Sequence, residues 1–201
     1  MLDNQLEELT QRIAIEFYRA RSMMMGSVPK QIISEPLIKP MTTYISNNQI
    51  ASASSQLGAQ DSISYTCWQA FDGKADEEYN IWMSARNKPI LSETTPQWLQ
   101  IEFTDGPRTV NRYEFSNRPN GNDIWLNSPR DWQLLGRNSD NDEWTVIHTV
   151  DDDLQNMYPG TRSYSNFGSH TYSQFRMNIT EKNAGDETAV IIADLQLFGS
   201  V

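Results

Sequence analysis

Three segments of the chain combine aromatic side chains with arginine, asparagine and aspartate. The candidate contact residues are Arg118, Asn120, Asp123 and Trp125 in Ser116–Ser128, Tyr79 and Arg86 in Tyr79–Arg86, and Tyr158, Arg162 and Tyr164 in Tyr158–His170. Flat aromatic faces pack against the C–H surface of a sugar ring, and planar polar groups form hydrogen bonds with its hydroxyls. These residue types predict a carbohydrate-binding rim, and the alternative is a set of solvated loop residues.

Catalytic chemistry finds little support in the same sequence. His148 falls within an alternating, strand-like run, whereas His170 lies in a loop rich in serine, asparagine and glycine without an obvious partner. Cys67, beside Trp68, is typical of a small buried hydrophobic side chain. The acidic residues show no pair whose spacing would place them across a cleft, as glycoside hydrolysis requires. No glycine-rich phosphate loop or zinc-binding spacing occurs, so we predict no catalytic residue and no enzyme activity.

The elements that must position these loops are strands. Pro96–Phe103 (PQWLQIEF) alternates, with Leu99, Ile101 and Phe103 on one side, which is the period of a strand with one buried face. The later segments that repeat the pattern are Val110–Phe115, Asp131–Gly136, Glu143–Val150, Tyr172–Ile179 and Ala189–Phe198. The residues expected to share one face of Glu143–Val150 are Trp144, Val146, His148 and Val150.

Turn-forming sequences separate these strands. They are TDGP at 104–107, PNGND at 119–123, NSDND at 138–142 and NAGD at 183–186. No helical period of any length follows residue 43. Many short strands joined by polar loops predict an all-β domain over residues 44–201, either a sandwich or a barrel.

The first 43 residues have a different character. Residues 1–25 carry apolar side chains at spacings of three and four, which predicts an amphipathic helix that buries one face against a partner or another copy, the alternative being that it packs on its own domain. Residues 26–43 contain Pro29, Pro36 and Pro40, which interrupt helices and central strands and favour an extended arm. Because this arm is also apolar, we expect it to lie along a partner surface or along the edge of the domain.

Composition excludes several classes of partner. The chain of 201 residues has a formal net charge of −10, so phosphate backbones and anionic lipid repel it, and we predict no nucleic-acid partner. No run approaches the roughly 18 apolar residues that span a bilayer, which predicts no membrane insertion. The single cysteine cannot form an internal disulfide, and no signal peptide is recognisable, which favours synthesis in a reducing cytoplasm.

Eight segments, in this order, resemble the discoidin or coagulation-factor C-type domain. They are Ala70–Gly73 (AFDG), Trp82, Pro96–Phe103, Val110–Tyr113, Pro129–Gly136 (PRDWQLLG), Trp144–Val146, Tyr172–Ile179 and Ala193–Gly199 (ADLQLFG). The resemblance covers residues 44–201 and implies an antiparallel jelly-roll β-sandwich of the galactose-binding-like type, with its ligand loops at one end. It also implies that Trp82 is structural.

The resemblance implies a structural calcium ion. In carbohydrate-binding relatives, calcium lies between the AFDG loop and an acidic residue near the C-terminus. The corresponding residues here are Asp72, Asp76 and Asp194, and backbone carbonyls would complete the oxygen ligands that calcium needs. Asp194 stands where the family more often has glutamate, whose side chain is longer. The alternative is that Asp72 caps its own turn and Asp194 points away.

The N-terminal segment Leu9–Arg21 (LTQRIAIEFYRAR) resembles a short helical segment of bacteriophage virion proteins. Together with the discoidin-like domain, it implies a non-catalytic tail, fibre or baseplate component that is made in the host cytoplasm. Residues 1–43 would anchor an oligomer, expected to be a homo-oligomer, to other virion proteins, and the sandwich would bind host-surface glycan. The alternatives are a purely structural decoration or cementing protein, and a carbohydrate-binding module that serves an enzyme elsewhere in the particle.

Overall fold

The computed structural model describes residues 35–58, 64–77, 79–86, 92–117, 127–154, 160–183 and 189–201. The predicted helix 1–25 and the first part of the predicted arm lie outside these residues. The strands are β1 (Glu35–Pro36), β2 (Ile45–Ser46), β3 (Gln49–Ala53), β4 (Trp82–Met83), β5 (Gln97–Phe103), β6 (Arg108–Ser116), β7 (Pro129–Arg137), β8 (Thr145–Val150), β9 (Thr161–Tyr164), β10 (His170–Tyr172), β11 (Gln174–Lys182), β12 (Ile191–Ile192) and β13 (Asp194–Ser200). A 3₁₀ helix spans Cys67–Phe71. Within the described part of the chain, no helix is both long enough and apolar enough to cross a bilayer.

The strands form two main sheets that enclose one core. The five-stranded sheet has the order β1-β13-β6-β10, with β9 also paired to β6, and the six-stranded sheet has the order β2-β3-β5-β11-β7-β8. Strands β4 and β12 form a small separate sheet. All of the pairings are antiparallel. The predicted antiparallel β-sandwich is therefore confirmed.

Strand β5 lies at the centre of the six-stranded sheet, between β3 and β11. Leu99, Ile101 and Phe103 are buried in the core, as the alternation predicted. A strand that is paired on both sides and apolar on one face fixes its own register, because a shift by one residue would expose every core side chain.

The predicted face of β8 is partly wrong. Its pairing with β7 shifts between Leu134 and Leu135, which leaves Ile147 as the extra residue of a bulge. As a result Ile147 is buried, whereas Val146 is 50% exposed. His148 remains on the core side and Trp144 packs on arginines of the outer face. A bulge inserts one residue into the period of two, so alternation alone could not predict it.

Three polar side chains inside the core bind one another. The indole Nε1 of Trp132 donates to the Tyr113 hydroxyl at 2.8 Å, and that hydroxyl lies 2.9 Å from Nδ1 of His148. Burial raises the pKa of Tyr113 and lowers the pKa of His148, so both side chains are neutral at physiological pH. His148 therefore has the structural role that the sequence predicted.

The predicted domain boundary at residue 44 is wrong, because residues 35–43 belong to the sandwich. The compact unit spans Ser34–Val201. Strand β1 pairs with β13, and the backbone N–H of Leu37 donates to the Leu197 carbonyl at 2.8 Å. The prolines of this segment fit an edge position, where a missing N–H leaves no partner unsatisfied. The sequence predicted that the arm lies along a partner surface or along the edge of the domain, and residues 35–43 lie along the edge of the domain.

Two glutamine side chains hold this edge segment in place. The Gln196 carboxamide accepts from the N–H of Ile38 at 2.9 Å and donates to its carbonyl at 3.0 Å. The buried Gln49 carboxamide makes the same pair of bonds with Lys39, at 2.9 and 2.8 Å. Each carboxamide therefore acts like one residue of a neighbouring strand, which explains how a proline-interrupted segment stays attached to the sandwich.

Candidate functional site

The long connections of the sandwich begin and end at one pole, which we call the loop pole. They run through residues 54–96, 117–128, 151–160 and 183–193. The strand pairings place their ends together, because Ala53 pairs with Leu99, Lys182 with Pro129, and Ser116 with both Thr161 and Asp194. The opposite pole carries shorter turns, including 47–48, 104–107 and 138–144. Binding residues occur disproportionately on loops that a rigid scaffold holds in position.

Backbone hydrogen bonds tie three of these connections together at their bases. The N–H of Asn117 donates to the Gly160 carbonyl at 3.1 Å, and the N–H of Asn183 donates to the Ser128 carbonyl at 3.1 Å. The N–H of Asp153 donates to the Arg130 carbonyl, also at 3.1 Å. The bases of the loops are therefore fixed relative to one another, which lowers the entropy lost when a ligand binds.

A charged cluster reinforces the same region. Arg130 donates to both carboxylate oxygens of Asp131 at 3.1 and 3.2 Å, and the N–H of Asp152 donates to the first of them at 2.8 Å. Burial alone would raise the pKa of Asp131, but the hydrogen bonds from Arg130 and Asp152 outweigh it, so its pKa is lowered. The ionised carboxylate thus joins the start of β7 to the segment that follows β8.

The structure places some of the sequence-predicted contact residues. Tyr79 is 55% exposed, with its ring edge-on to Tyr65 at 6.3 Å between centroids. Arg86 is exposed shortly after β4. Arg162 lies in β9 at the loop pole and is half-buried. The residues predicted as contacts that lie outside the described part of the chain are Arg118, Asn120, Asp123, Trp125 and Tyr158.

Tyr164 has a structural position. Its ring stacks on Tyr113 and Phe115 at 5.0 and 5.6 Å between centroids, and it meets Trp132 edge-on at 5.2 Å. Its hydroxyl donates to Asp153 Oδ2 at 2.6 Å. The register of β9 on β6 explains this, because Tyr164 pairs directly with the core residue Tyr113. Aromatic type alone does not distinguish such a ring from one that faces a ligand.

Trp82 is fully buried, as its match to a family framework position implied. Its indole Nε1 donates to the Ser55 carbonyl at 2.9 Å. The N–H of Ala85 donates to the Ser55 hydroxyl at 3.1 Å. Ser55, in the connection that follows β3, therefore binds both Trp82 and Ala85. The bond to Ala85 fixes the backbone immediately before Arg86.

The carboxylates of Asp72, which is buried, and Asp194, which is half-buried, lie close enough for their charges to interact. Asp72 follows the 3₁₀ helix and is almost completely buried, and Asp194 opens β13. Burial raises the pKa of Asp194 to about 7, the N–H of Gly73 partly opposes this shift, and the nearby charge of Asp72 adds to it. Burial also raises the pKa of Asp72. Two acidic groups that resist ionisation in one place are a site where a cation would be stabilised.

A chain of polar side chains orients Asp72. Gln69 Oε1 accepts from the N–H of Thr66 at 2.9 Å, and Gln69 Nε2 donates to Asn80 Oδ1 at 2.8 Å. Asn80 Nδ2 in turn donates to Asp72 Oδ2 at 2.6 Å, and the N–H of Lys74 donates to Oδ1 at 3.0 Å. Sequence reasoning missed Gln69 and Asn80. The spacing of Thr66 and Gln69 is a capping-box signal that could have identified the first of them.

The predicted calcium ligands come together only in part. The N–H of Gly73 donates to Asp194 Oδ1 at 3.1 Å, which ties the Asp72 turn to β13. Asp76, however, is exposed. Among the described residues, no three acidic, histidine or cysteine side chains form a metal-binding group. The oxygens of Asp72 and Asp194 are ligands of the kind that a hard cation prefers, but the described residues do not complete a site. The assignment of calcium stays a prediction.

Comparison with known proteins identifies the fold. No protein-family model matches the sequence, and no curated protein sequence matches it significantly. The family 32 carbohydrate-binding module of Streptococcus pneumoniae EndoD matches with a TM-score of 0.57 and 16% identity, over 83% of this chain and 100% of that one. The family 32 module of C. perfringens NanJ, in complex with galactose, matches with a TM-score of 0.55 and 16% identity, over 75% and 93%.

A third match is chitosan-binding module 2 of a chitosanase/glucanase from Paenibacillus sp. IK-5, in complex with chitotriose. Its TM-score is 0.56 and its identity is 15%, over 76% of this chain and 97% of that one. At these identities the comparisons establish the fold. They confirm that the sandwich is galactose-binding-like, as the eight sequence segments implied.

Proposed function

We propose that residues 35–201 form a carbohydrate-binding module that holds a glycan at the loop pole. The observation that carries the proposal is the convergence of four long connections at one end of a sandwich, three of them tied at their bases by hydrogen bonds. The fold adds support, because two of its solved neighbours are complexes with galactose and with chitotriose. Loops whose bases are fixed before binding suit a ligand that is held by several weak contacts.

The residues proposed to contact the glycan are Tyr79, Arg86, Arg118, Asn120, Asp123, Trp125, Tyr158 and Arg162. Trp125 would pack against a sugar ring, and the arginine and asparagine side chains would bind its hydroxyls. We propose binding without catalysis. His148 is bound within the core, and Nε2 of His170 lies 2.8 Å from the Phe167 carbonyl, so both histidines already have partners.

We further propose that the chain is a bacteriophage virion component. Residues 1–33, which lie outside the compact unit Ser34–Val201, would dock a homo-oligomer to other virion proteins after synthesis in the host cytoplasm. The proposal is supported by the resemblance of Leu9–Arg21 to a virion segment. Several copies in one particle would compensate for weak single-site affinity, since tethering raises the effective concentration of each further site.

Calcium is proposed to bind at Asp72 and Asp194. A divalent cation supplies the positive charge that would offset the buried Asp72 carboxylate and the half-buried Asp194 carboxylate, and carboxylate oxygens are the ligands that it prefers. The ion would join the turn after the 3₁₀ helix to the start of β13, and would so stiffen the base of the loop pole. Its expected role is structural.

The calcium proposal predicts a pH-dependent stabilisation. Because the pKa of Asp194 is raised to about 7, the folded protein retains a proton between about pH 4 and pH 7 that the unfolded chain has lost. The contribution of this group to stability is therefore lost as the pH rises through that interval, and a cation would restore it. Saturating calcium should raise the melting temperature by about 6–12 °C at pH 8, for a gain of roughly 3 kcal/mol, and by less at pH 5.

Asp194→Asn is the matched variant for this measurement. The amide keeps an oxygen for the Gly73 N–H but carries no charge, so the calcium-free variant should melt above the wild type at pH 8 and should not respond to calcium. Because burial lowers the pKa of His148, this residue also changes the melting temperature as the pH falls. The change is the same in the wild type and in Asp194→Asn, so it cancels when their melting temperatures are subtracted. Equal melting of the wild-type protein in calcium and in chelator at pH 8 would remove the ion from this account.

The glycan proposal is tested by presenting the multimerised full chain to a glycan array and to intact host-type cells. Asn120→Ala should weaken binding at least tenfold, because it removes a planar hydrogen-bonding group from the proposed rim. Asn141→Ala makes the same change in the turn at the opposite pole and should have no effect. Absence of binding to every glycan and every cell type would favour the purely structural role.

A further inference from the structure

A row of polar side chains crosses the outer face of the six-stranded sheet beside the loop pole. Thr149 of β8 pairs directly with Gln133 of β7, Gln133 pairs with Asn178 of β11, and Asn178 pairs with Trp98 of β5. Directly paired residues of antiparallel strands point to the same side of the sheet. The partners in register on either side, Trp132 and Ile179, are buried in the core, so this row faces outward.

Three members of this row, Thr149, Gln133 and Asn178, form the floor of a pocket. The pocket has a volume of about 280 Å³, and its polar side chains come from Glu93, Gln133, Thr149, Asp151, Asn178 and Thr180. Glu93 precedes β5 and Asp151 follows β8, so the two carboxylates come from opposite edges of the row. This volume is near the lower end of the range of ligand pockets, roughly 300–1,000 Å³, and suits one small ring.

The floor of the pocket has unused hydrogen-bonding capacity. Within the described part of the chain, the side chains of Thr149, Gln133 and Asn178 make no hydrogen bond to the protein. Further from the loop pole on the same face of the sheet, the polar side chains bind one another. Arg176 donates to Gln100 Oε1 at 3.0 and 2.7 Å, and Arg137 Nε donates to Gln174 Oε1 at 2.7 Å. Two carboxamides and one hydroxyl are therefore available at fixed spacing on a rigid sheet.

A stack of planar groups holds the neighbouring surface in place. The Arg176 guanidinium lies 4.0 Å from the ring centre of Trp98 and 4.3 Å from that of Trp144. The Arg137 guanidinium lies 4.3 Å from the ring centre of Trp144. These contacts commit the two cations to aromatic faces outside the pocket. Of the described residues that line the pocket, two are acidic and none is basic.

We propose that this pocket is a second sugar-binding subsite, which takes a ring bearing a free, protonated amine. The carboxamides of Gln133 and Asn178 and the hydroxyl of Thr149 bind the ring hydroxyls, and Glu93 and Asp151 bind the ammonium group. The two carboxylates select against anionic sugars, which they repel. The inference goes beyond the proposed function, because the subsite uses no residue of the proposed rim.

The test is a titration of the full chain at pH 6 with the free-amine glucosamine trisaccharide, followed by NMR. The side-chain NH₂ signals of Gln133 and Asn178 report on the pocket directly, and they should shift on binding. Combined Glu93→Gln and Asp151→Asn substitution should weaken binding to this subsite at least tenfold. Glu102→Gln, a carboxylate change on the same sheet face and outside the pocket, should leave it unchanged.

The fully N-acetylated trisaccharide provides the ligand control, and it should bind at least tenfold more weakly to this subsite. Two results would overturn the inference: NH₂ signals that stay unmoved at the highest trisaccharide concentration, or equal loss of affinity in the pocket variant and in Glu102→Gln. If these signals stay still while backbone signals of the loop pole move, the proposed function survives and the second subsite does not.

Discussion

A chain that begins at residue 44 is expected to lose its cooperative fold, whereas a chain that begins at residue 34 is expected to keep it. The nine residues 35–43 supply Leu37, Ile38 and Met41 to the core, where their side chains are 6%, 3% and 2% exposed. Burial of one such side chain contributes about 1.5–3 kcal/mol. Together they contribute roughly 5–9 kcal/mol, and a whole domain is stable by only about 5–15 kcal/mol.

The shorter chain also leaves polar groups without partners. Gln49 is buried, and both of its hydrogen bonds in this region go to the backbone of Lys39. The Phe71 carbonyl loses the N–H of Met41, which it accepts at 3.0 Å, and this contact lies one residue before Asp72. Each buried group without a partner costs about 1–3 kcal/mol. The truncation is therefore expected to weaken the base of the loop pole as well as the core.

Urea unfolding followed by tryptophan fluorescence measures this effect. The chain from residue 34 should show one cooperative transition close to that of the full chain, and the chain from residue 44 should show a broad transition or none. If the two truncated chains unfold at the same urea concentration, residues 35–43 are an appendage of the sandwich rather than part of it.

Substitution of Gly199 by alanine is expected to destabilise the protein severely. Gly199 lies in β13, where the register on β6 shifts, and it also pairs with Glu35 of β1. A Cβ atom at this position would lie 1.8 Å from the backbone oxygen of Thr109. No side-chain rotation relieves a collision with backbone, so β6 and β13 would have to separate. We expect a loss of at least about 3 kcal/mol, which is the upper end of the usual cost of overpacking.

Thermal unfolding of Gly199→Ala beside Ser200→Ala checks this expectation. Ser200 is the next residue and is exposed, so its substitution controls for a small change near the C-terminus. The melting temperature of Gly199→Ala should fall by roughly 6–12 °C, since 1 kcal/mol corresponds to about 2–4 °C in a protein of this size. A fall of less than 2 °C would mean that the two strands can separate locally at little cost.

The strands could be predicted because each has one buried face. In β5 the alternation of Leu99, Ile101 and Phe103 with other residues is sufficient to predict the strand and the face of it that is buried. The bulge in β8 was not predictable, because the exchange of Val146 for Ile147 as the buried residue depends on pairing with β7. Period-two patterns carry no information on where a partner strand shifts its register.

The start of the domain was misplaced for a related reason. Prolines in residues 35–43 are typical of a linker, and the apolar residues there indicated only that some surface covers them. What fixes the segment is tertiary, namely the paired hydrogen bonds from Gln196 and Gln49 and the pairing of β1 with the distant β13. Gln196 and β13 lie about 160 residues further along the chain, and partners at that separation leave no mark on a local pattern.

The candidate site was predictable in part. The resemblance implied that Asp72 and Asp194 lie near one another, and in the structure the N–H of Gly73, the residue after Asp72, donates to Asp194. Asp76 was included as a position that the resemblance implied, but it is exposed. Tyr164 was included as a loop aromatic, whereas its register on β6 stacks it on Tyr113. Residue type gives the chemistry that a position can perform, and register decides which way the side chain points.

The most direct test of glycan binding at the loop pole is a map of backbone amide shifts in the full chain, titrated with the glycan that binds best on the array. The largest shifts are predicted at the tied loop bases, at Asn117, Ser128 and Gly160, and at the proposed contact Arg162, with the turns 104–107 and 138–144 unchanged. Shifts confined to those two turns, or no shift at a saturating glycan concentration, would contradict the account.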